Sequence, residues 1–391
     1  PMCLWVPECP QYLDELTQLE GRRRAHHACH ACGDSDAPYH CEDCFSVNLF
    51  CCSCIITLHQ NVPLRRVKRW QDGYFYSTTL KQLGLRIQLG DHTEQLCRNP
   101  KPAHDNDFVI INVHGIHEVA LDFCDCANAP SHYRQLLCRR LFPATSTDPR
   151  TAATFAVLEH FHLLSFESKV SAYEFYHSLA RRSDNTGIAP IKDRYSVFLR
   201  IMKQWRNLKS LKRSGRGHDP AGVDATQEGQ LAVLCPACPQ FGKIWLYSLF
   251  SAIDANFRLK RRFVSNDIKD PGLSRGWGYF MEEQQYKAYL HDHADEAQEK
   301  SACVSHNAVN MADTKASKGL AATGVGSIVC ARHDMRLANG VGDLQKGEKY
   351  INMDYIVFSA LSTPLHSHVM PSILISTGVD LEHAQYVTSG F

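Results

Sequence analysis

Sulfur and imidazole carry the most legible chemistry in this chain of 391 residues. Its 17 cysteines fall largely into close pairs: Cys29–Cys32, Cys41–Cys44, Cys51–Cys54, Cys124–Cys126 and Cys235–Cys238. Cys303 and Cys330 each stand three residues before a histidine, His306 and His333. A Cys-x-x-Cys pair turns two thiolates toward one point, and two such pairs complete a tetrahedron around zinc. Residues 29–59 hold three pairs and His59, which fits a two-zinc cross-brace. There the first and third pairs, Cys29, Cys32, Cys51 and Cys54, share one ion. Cys41, Cys44 and His59 take the second, whose fourth ligand is open between His40 and Cys52. A module this short has little core, so zinc would supply most of its folding free energy, on the order of 10 kcal/mol per ion.

The remaining half-sites are less determined. Cys124–Cys126 and Cys235–Cys238 are each half of a zinc site, with Cys97 or Cys138 as further ligands, or else buried free thiols. Cys303-Val-Ser-His306 and Cys330-Ala-Arg-His333 lie 27 residues apart and would together make a Cys2His2 site tying an insert to the core. A different chemistry is suggested at LFSAIDANFRLKRR (249–262), where Asp254 closes an apolar run just before a cationic stretch. A carboxylate held on a strand can ligate magnesium, which demands oxygen donors that the Cys/His groups do not offer. Phosphodiester chemistry uses two such ions roughly 4 Å apart, and the arginines and lysine would contact phosphates.

The elements that must position these residues follow from periodicity. LGLRIQLG, DFVIINV and HEVALDFC read as strands, the last two as a hairpin around Gly115. Phe198, Ile201, Met202, Trp205 and Leu208 recur at three and four residues, one face of a helix. SGRGHDPAGVDATQEGQ (214–230) is a polar, Gly-containing linker. A strand runs into Asp254, a helix is expected in MEEQQYKAYLHDHADEAQEK, and another in YINMDYIVFSAL. The composition is that of a globular protein, 44% hydrophobic and 21% charged, with formal net charge +1. That balance excludes a uniformly basic nucleic-acid wrapper but leaves room for local basic patches. No apolar run reaches the length of a membrane span. The start, PMCLWVPECPQYLDEL, lacks the features of a secretion signal. Unpaired with secretion, such cysteines indicate metal ligation in a reducing, intracellular or nuclear compartment.

Several stretches together resemble one family, the Kyakuja–Dileera–Zisupton (KDZ) DNA transposases with their associated CxC-type cysteine cluster. They are GIHEVALDFCDC (115–126), YRQLLCRRLFPATSTDPRTAATF (133–155), SAYEFYHSLARRSDNTG (171–187), LAVLCPACPQ (231–240), LFSAIDANFRLKRR (249–262) and GLAATGVGSIVCARHDM through YINMDYIVFSAL (319–361). The resemblance implies an RNase H-like catalytic domain whose Asp-Asp-Glu triad binds two magnesium ions for DNA cleavage and strand transfer. It carries the first triad aspartate onto Asp254, makes GSIVCARHDM an early strand, and makes NMDYIVFSAL the first helix, with Asp354 structural. The family continues with a second aspartate and a late glutamate. STPLHSHVMPSILISTGVDLEHAQYVTSGF matches nothing expected there, and neither Asp380 nor Glu382 is expected to serve. Relatives also carry a histidine where this chain has Arg65, in keeping with an incomplete second zinc site.

The fold expected is therefore α+β and multidomain. It comprises a zinc cross-brace module (1–72), a mixed β and helical CxC-type region (73–213), a linker with the Cys-Pro-Ala-Cys knuckle (214–240), the opening part of an RNase H-like α/β domain (241–361) and a divergent tail (362–391). The function expected is that of a C-terminally shortened transposase acting on transposon ends or chromatin DNA, with structural zinc. Magnesium catalysis is expected to be lost, since one carboxylate does not hold two ions. The rival expectation is a non-catalytic zinc-dependent protein that binds DNA, chromatin or another protein.

Overall fold

The computed structural model describes residues 1–22, 28–90, 97–188, 191–237, 249–263, 270–273, 275–293, 319–345 and 349–363, and the backbone of 371–375 and 385–387. The positions named above at Cys238, Cys303, His306, Asp380 and Glu382 lie outside these described residues. The architecture is mixed α and β with several sheets. Two units separate at the Trp205–Arg206 bond. No helix among the described residues is long and apolar enough to cross a membrane.

In the first unit, α1 (Met2–Trp5) and α2 (Cys9–Leu19) bury no side chain. They precede β1 (Tyr39–Cys41), α3 (Cys52–His59), β2 (Val67–Gln71) and β3 (Tyr74–Thr78). The three strands form an antiparallel sheet in sequence order, with Cys41 opposite Val67. A larger sheet follows, built from β4 (Arg86–Gln88), β5 (Pro100–Pro102), β6 (Phe108–Asn112), β7 (Gly115–Cys124), β8 (Leu141–Pro143) and β9 (Thr151–Thr154). Its order is β4-β7-β6-β9-β8, with β5 also paired to β7.

The expected hairpin is present: β6 and β7 pair antiparallel across the turn Val113–His114, and Gly115, which opens β7, has a φ of +139° that suits glycine. A Cβ there would meet Ser183 Oγ at 2.5 Å, and that oxygen accepts the Ile116 N–H. Every residue of β6 is buried because both faces are covered. Val109 and Ile111 pack with α5 (Phe155–Glu167), α6 (Ala172–Ser183) and the start of α7 (Tyr195–Arg213). Phe108 and Ile110 pack with Leu121, Phe123 and Leu136, the last from α4 (His132–Cys138). Helix starts follow the chemistry of their caps. Thr154 accepts the Val157 N–H, and Ser171 with Glu174 forms a reciprocal capping box. On α7, Phe198, Ile201 and Met202 are buried as the periodicity indicates, whereas Leu208 is exposed.

The second unit centres on β10 (Leu249–Asn256). After it come β11 (Arg261–Arg262), α8 (Glu283–Asp292), β12 (Leu320–Ala322), β13 (Gly324–Cys330), β14 (Arg336–Leu344), α9 (Tyr350–Ser362), β15 (Pro371–Ile375) and β16 (Gln385–Val387). The main sheet runs β14-β13-β10-β15-β16. β13 pairs antiparallel with both β14 and β10, while β15 lies parallel to β10. One face is apolar: Leu249, Ile253, Ile328 and Leu344 pack with Tyr286 of α8 and with Met353, Ile356 and Ala360 of α9. The helix comes close because the opposed residues Gly326 and Gly342 lack side chains beneath Ile356. The segment 214–230, expected as a linker, is a run of turns. Its end is hydrogen-bonded within this unit, Gly229 N–H to Gly276 O and Leu231 N–H to Trp277 O. Polar composition there reflects turn chemistry rather than slack.

Candidate functional site

The N-terminal module assembles the first cross-brace set. The sulfurs of Cys29, Cys32, Cys51 and Cys54 lie within 4.8 Å of one another. The Cys32–Cys51 separation of 3.7 Å matches the edge of a tetrahedron with Zn–S bonds of about 2.3 Å. Local structure places them. Cys29 and Cys32 sit in a turn closed by Gly33 N–H to Cys29 O, and Cys51 caps the N-terminus of α3 one turn before Cys54. Burial pushes the Cys29 thiol up, but backbone N–H groups of Cys51, Cys32 and Ala31 outweigh it and bring it down to about 6. Cys54, facing Cys51 and Cys32, is pushed up to about 12. Four sulfurs that cannot all ionise beside one another would be stabilised as thiolates by a shared cation.

The second set is Cys41, Cys44 and His59. His59 is buried, and its Nδ1–H donates to Ile55 O at 2.8 Å. A carbonyl can only accept, so Nδ1 carries the proton and Nε2 keeps its lone pair. Nε2 lies 3.4 Å from Cys44 Sγ, as two ligands of one ion would. α3 thus carries ligands of both sets at its two ends. Neither open candidate for the fourth ligand joins: Cys52 Sγ turns to Leu83 O, and His40 packs on Phe75. Arg65 donates to Asp43 O.

Between Cys41 and Cys44, the side chain of Asp43 is covered and accepts from the Arg66 guanidinium and the Arg66 backbone N–H. Burial raises the Asp43 carboxyl, but Arg66 outweighs it and holds the group below the ordinary carboxylate range. The stabilisation from this pair is therefore present above about pH 4 and lost as pH falls through the lowered folded value. Asp43→Ala is expected to destabilise the module by about 2 kcal/mol, read as a lower urea midpoint in the zinc-loaded protein.

A third set, Cys97, Cys124 and Cys126, gathers at the end of β7, with Cys97 and Cys126 sulfurs 3.8 Å apart. Of the two partners the sequence left open, Cys97 joins, and Cys138 stands exposed elsewhere. A fourth set lies in the second unit: Cys235, Cys330 and His333. His333 Nδ1 is 3.4 Å from each sulfur. The structure thus brings Cys330-Ala-Arg-His333 to Cys235. The half-site expected to pair with it, Cys303 and His306, is outside the described residues.

Asp254 is exposed on β10, the central strand, opposite Ser327 of β13. Burial alternates along β10, so Asp254 faces away from the side covered by α9. The cationic run that follows is exposed, but its members differ. Arg261 is engaged with Glu283 and Asp343, an acidic pair the sequence reading missed. The alternation of charge around Arg261 is visible only once β11 and α8 meet. Asp354 is exposed on α9. Among the described residues Asp254 joins no group of three metal-ligating side chains.

Comparison with known families decides the relationship. Residues 80–187 match the model of the CxC2-like cysteine cluster associated with KDZ transposases, and residues 247–378 match the Kyakuja–Dileera–Zisupton transposase model. The chain belongs to the KDZ transposase family. No curated protein and no solved structure matches it. The CxC2 match contains the Cys97, Cys124 and Cys126 set, and the KDZ match contains Asp254, Cys330 and His333. The KDZ match also runs past residue 361, where the family pattern was expected to end, and takes in β15.

Proposed function

We propose that this KDZ chain acts on DNA through an RNase H-like domain in which Asp254 is the first metal-binding carboxylate. The observation that carries this reading is the placement of Asp254 on the central strand of the KDZ-matched sheet, on the face left open by α9. Three antiparallel strands followed by a helix that returns the chain parallel to the first strand agrees with the layout the resemblance implies. In that layout GSIVCARHDM would be an early strand, here β13, and NMDYIVFSAL the first helix, here α9, which α8 precedes in the chain. Asp254 offers the hard oxygen that magnesium requires, whereas the sulfur-rich sets suit zinc. One carboxylate does not hold the two ions that phosphodiester cleavage uses, so cutting by this chain requires further oxygen ligands beside Asp254; with them, the residues there would hold magnesium to supply activation of a nucleophile and stabilisation of the leaving oxygen. The cysteine sets of the N-terminal module and the CxC2 region would hold structural zinc.

Arg258 and Lys260, which follow β10, and Arg262 of β11 are exposed and would contact DNA phosphates. Replacing all three by alanine is expected to reduce the slope of log affinity against log salt by about 2 to 3, since each lost phosphate contact removes about 0.9. The reading itself is tested with the purified chain and supercoiled plasmid. Magnesium-dependent nicking that Asp254→Asn abolishes supports it. Zinc-dependent DNA binding without nicking, indifferent to Asp254, overturns it in favour of a non-catalytic binding protein.

A further inference from the structure

We propose that Cys235, Cys330 and His333 bind a zinc ion that locks the register of β10 and so keeps Asp254 on the open face of its sheet. The donor set is two sulfurs and one imidazole nitrogen, soft and borderline ligands that favour zinc over magnesium. Each sulfur stands 3.4 Å from the same nitrogen, His333 Nδ1, close to the S–N edge of a tetrahedral zinc site.

The backbone delivers these three side chains from distant parts of the sequence. Cys330 ends β13, and a tight turn brings His333 back beside it. His333 N–H and Asp334 N–H both donate to Cys330 O, with Asp334 at φ +53°. The turn sits on the start of β10: Ala331 N–H donates to Phe250 O, and the Arg332 guanidinium lies 4.4 Å from the Phe250 ring centre. Cys235 arrives by a relay of backbone pairing. Val233 exchanges hydrogen bonds with the Tyr279 hydroxyl, Leu231 N–H donates to Trp277 O, and Val341 N–H of β14 donates to Tyr279 O. A further observation marks the spot. Ser251, opposite Cys330 in the ladder, is fully buried, and its hydroxyl has no hydrogen-bond partner among the described residues. Cross-strand partners share a face, so that hydroxyl lies on the side where Cys330 sulfur would carry thiolate charge, a ready acceptor.

The consequence follows from the pleat. Side chains alternate faces along a strand, so a one-residue slip of β10 on β13 would carry Asp254 to the side filled by α9. On the face covered by α9 this ladder carries Ser251, Ile253 and Ala255, so Ile253 is the one large apolar side chain that sets register there. An ion held by Cys330 and His333 would stiffen the turn whose Ala331 N–H donates to Phe250 O, and so pin β10 four residues before Asp254. This role stands whether or not the chain cuts DNA.

The test is zinc content per full-length chain, purified without chelator, for the wild type, Cys330→Ser, His333→Ala and His333→Cys. Cys330→Ser and His333→Ala are expected to lose one equivalent of zinc. His333→Cys, which keeps a ligand, is expected to retain the wild-type content. Its cobalt-substituted form should show stronger thiolate-to-cobalt absorption than cobalt-substituted wild type. Unchanged zinc in Cys330→Ser and His333→Ala overturns the proposal. So does a folded His333→Cys protein that has lost an equivalent, which keeps the test decisive if the other two variants fail to fold. Hydrogen exchange reads the register role. Amides of 249–256 should exchange at least tenfold faster in His333→Ala than in His333→Cys, and equal rates in the two would reject it.

Discussion

Stripping zinc with a strong chelator at neutral pH is expected to unfold residues 28–59 while the β6–β7 hairpin stays folded. The asymmetry comes from what each region has besides metal. The cross-brace buries few large side chains. Its own clusters consist of Cys29, Ala37, Leu49 and Cys51, and of Tyr39, Cys41 and Ile55 with Val67, Leu80 and Leu85. Against the conformational entropy of ordering some 30 residues, roughly 1–2 kcal/mol each for the backbone alone, so few buried side chains do not suffice. Binding free energy on the order of 10 kcal/mol per ion exceeds what a cluster of this size contributes. The hairpin is enclosed on both faces by Phe108, Ile110, Leu121 and Leu136 on one side and Val109, Ile111, Phe161 and Phe198 on the other. Hydrogen exchange by mass spectrometry separates the two regions. Peptides from 28–59 should lose protection on chelation and regain it when zinc is restored, while 108–124 remains protected. Acid should act in the same direction, because the ligands would bind zinc as thiolates and a neutral imidazole, and falling pH protonates all of them. Persisting protection of 28–59 after metal analysis shows the zinc gone would sink the idea.

How much of this was legible beforehand depended on whether the information is local. Cys-x-x-Cys spacing is local, and the sharing of one site by Cys29, Cys32, Cys51 and Cys54 follows from the cross-brace pattern. The turn before Gly115 and the buried face of α7 are local too, set by glycine's freedom and by helical period. The choice of partner for a half-site is not. Cys235 meets Cys330 because β14 carries the 276–281 segment along its edge, and nothing in the spacing between residues 235 and 330 encodes that. For the same reason Cys97, rather than Cys138, completes the set at the end of β7: it enters that end beside β5, while Cys138 closes α4 with its side chain in solvent. The cationic run after Asp254 shows the same limit. Its charge was readable, but the engagement of Arg261 with Glu283 and Asp343 depends on a helix and a strand that are remote in sequence.

Gly326→Val is expected to cost about 3 kcal/mol and to loosen α9, whereas Asp254→Asn should leave stability unchanged. A Cβ on Gly326 would stand 2.6 Å from Ile356 Cδ1, 3.2 Å from Met353 Sδ and 3.3 Å from Leu344 Cδ2. One methyl could be accommodated by swinging the Ile356 terminus, so Gly326→Ala is the milder change. Valine adds two more carbons at a branched, stiff position, and the opposite wall offers no slack. Gly342 is the cross-strand partner, and its own missing Cβ is occupied by Ile356 and Met281. The helix must therefore lift, exposing Met353, Ile356 and Ala360, which are buried against the sheet. Asp254 lies on the opposite face of the same sheet and is exposed, so exchanging its carboxylate for an amide falls within about 0.5 kcal/mol of neutral. Urea midpoints for the two variants, set beside DNA nicking, separate the scaffold from the chemistry. Under the transposase reading, Asp254→Asn keeps the midpoint and loses cutting, while Gly326→Val loses both. A Gly326→Val protein with the wild-type midpoint would show that α9 does not depend on the glycine pair beneath it.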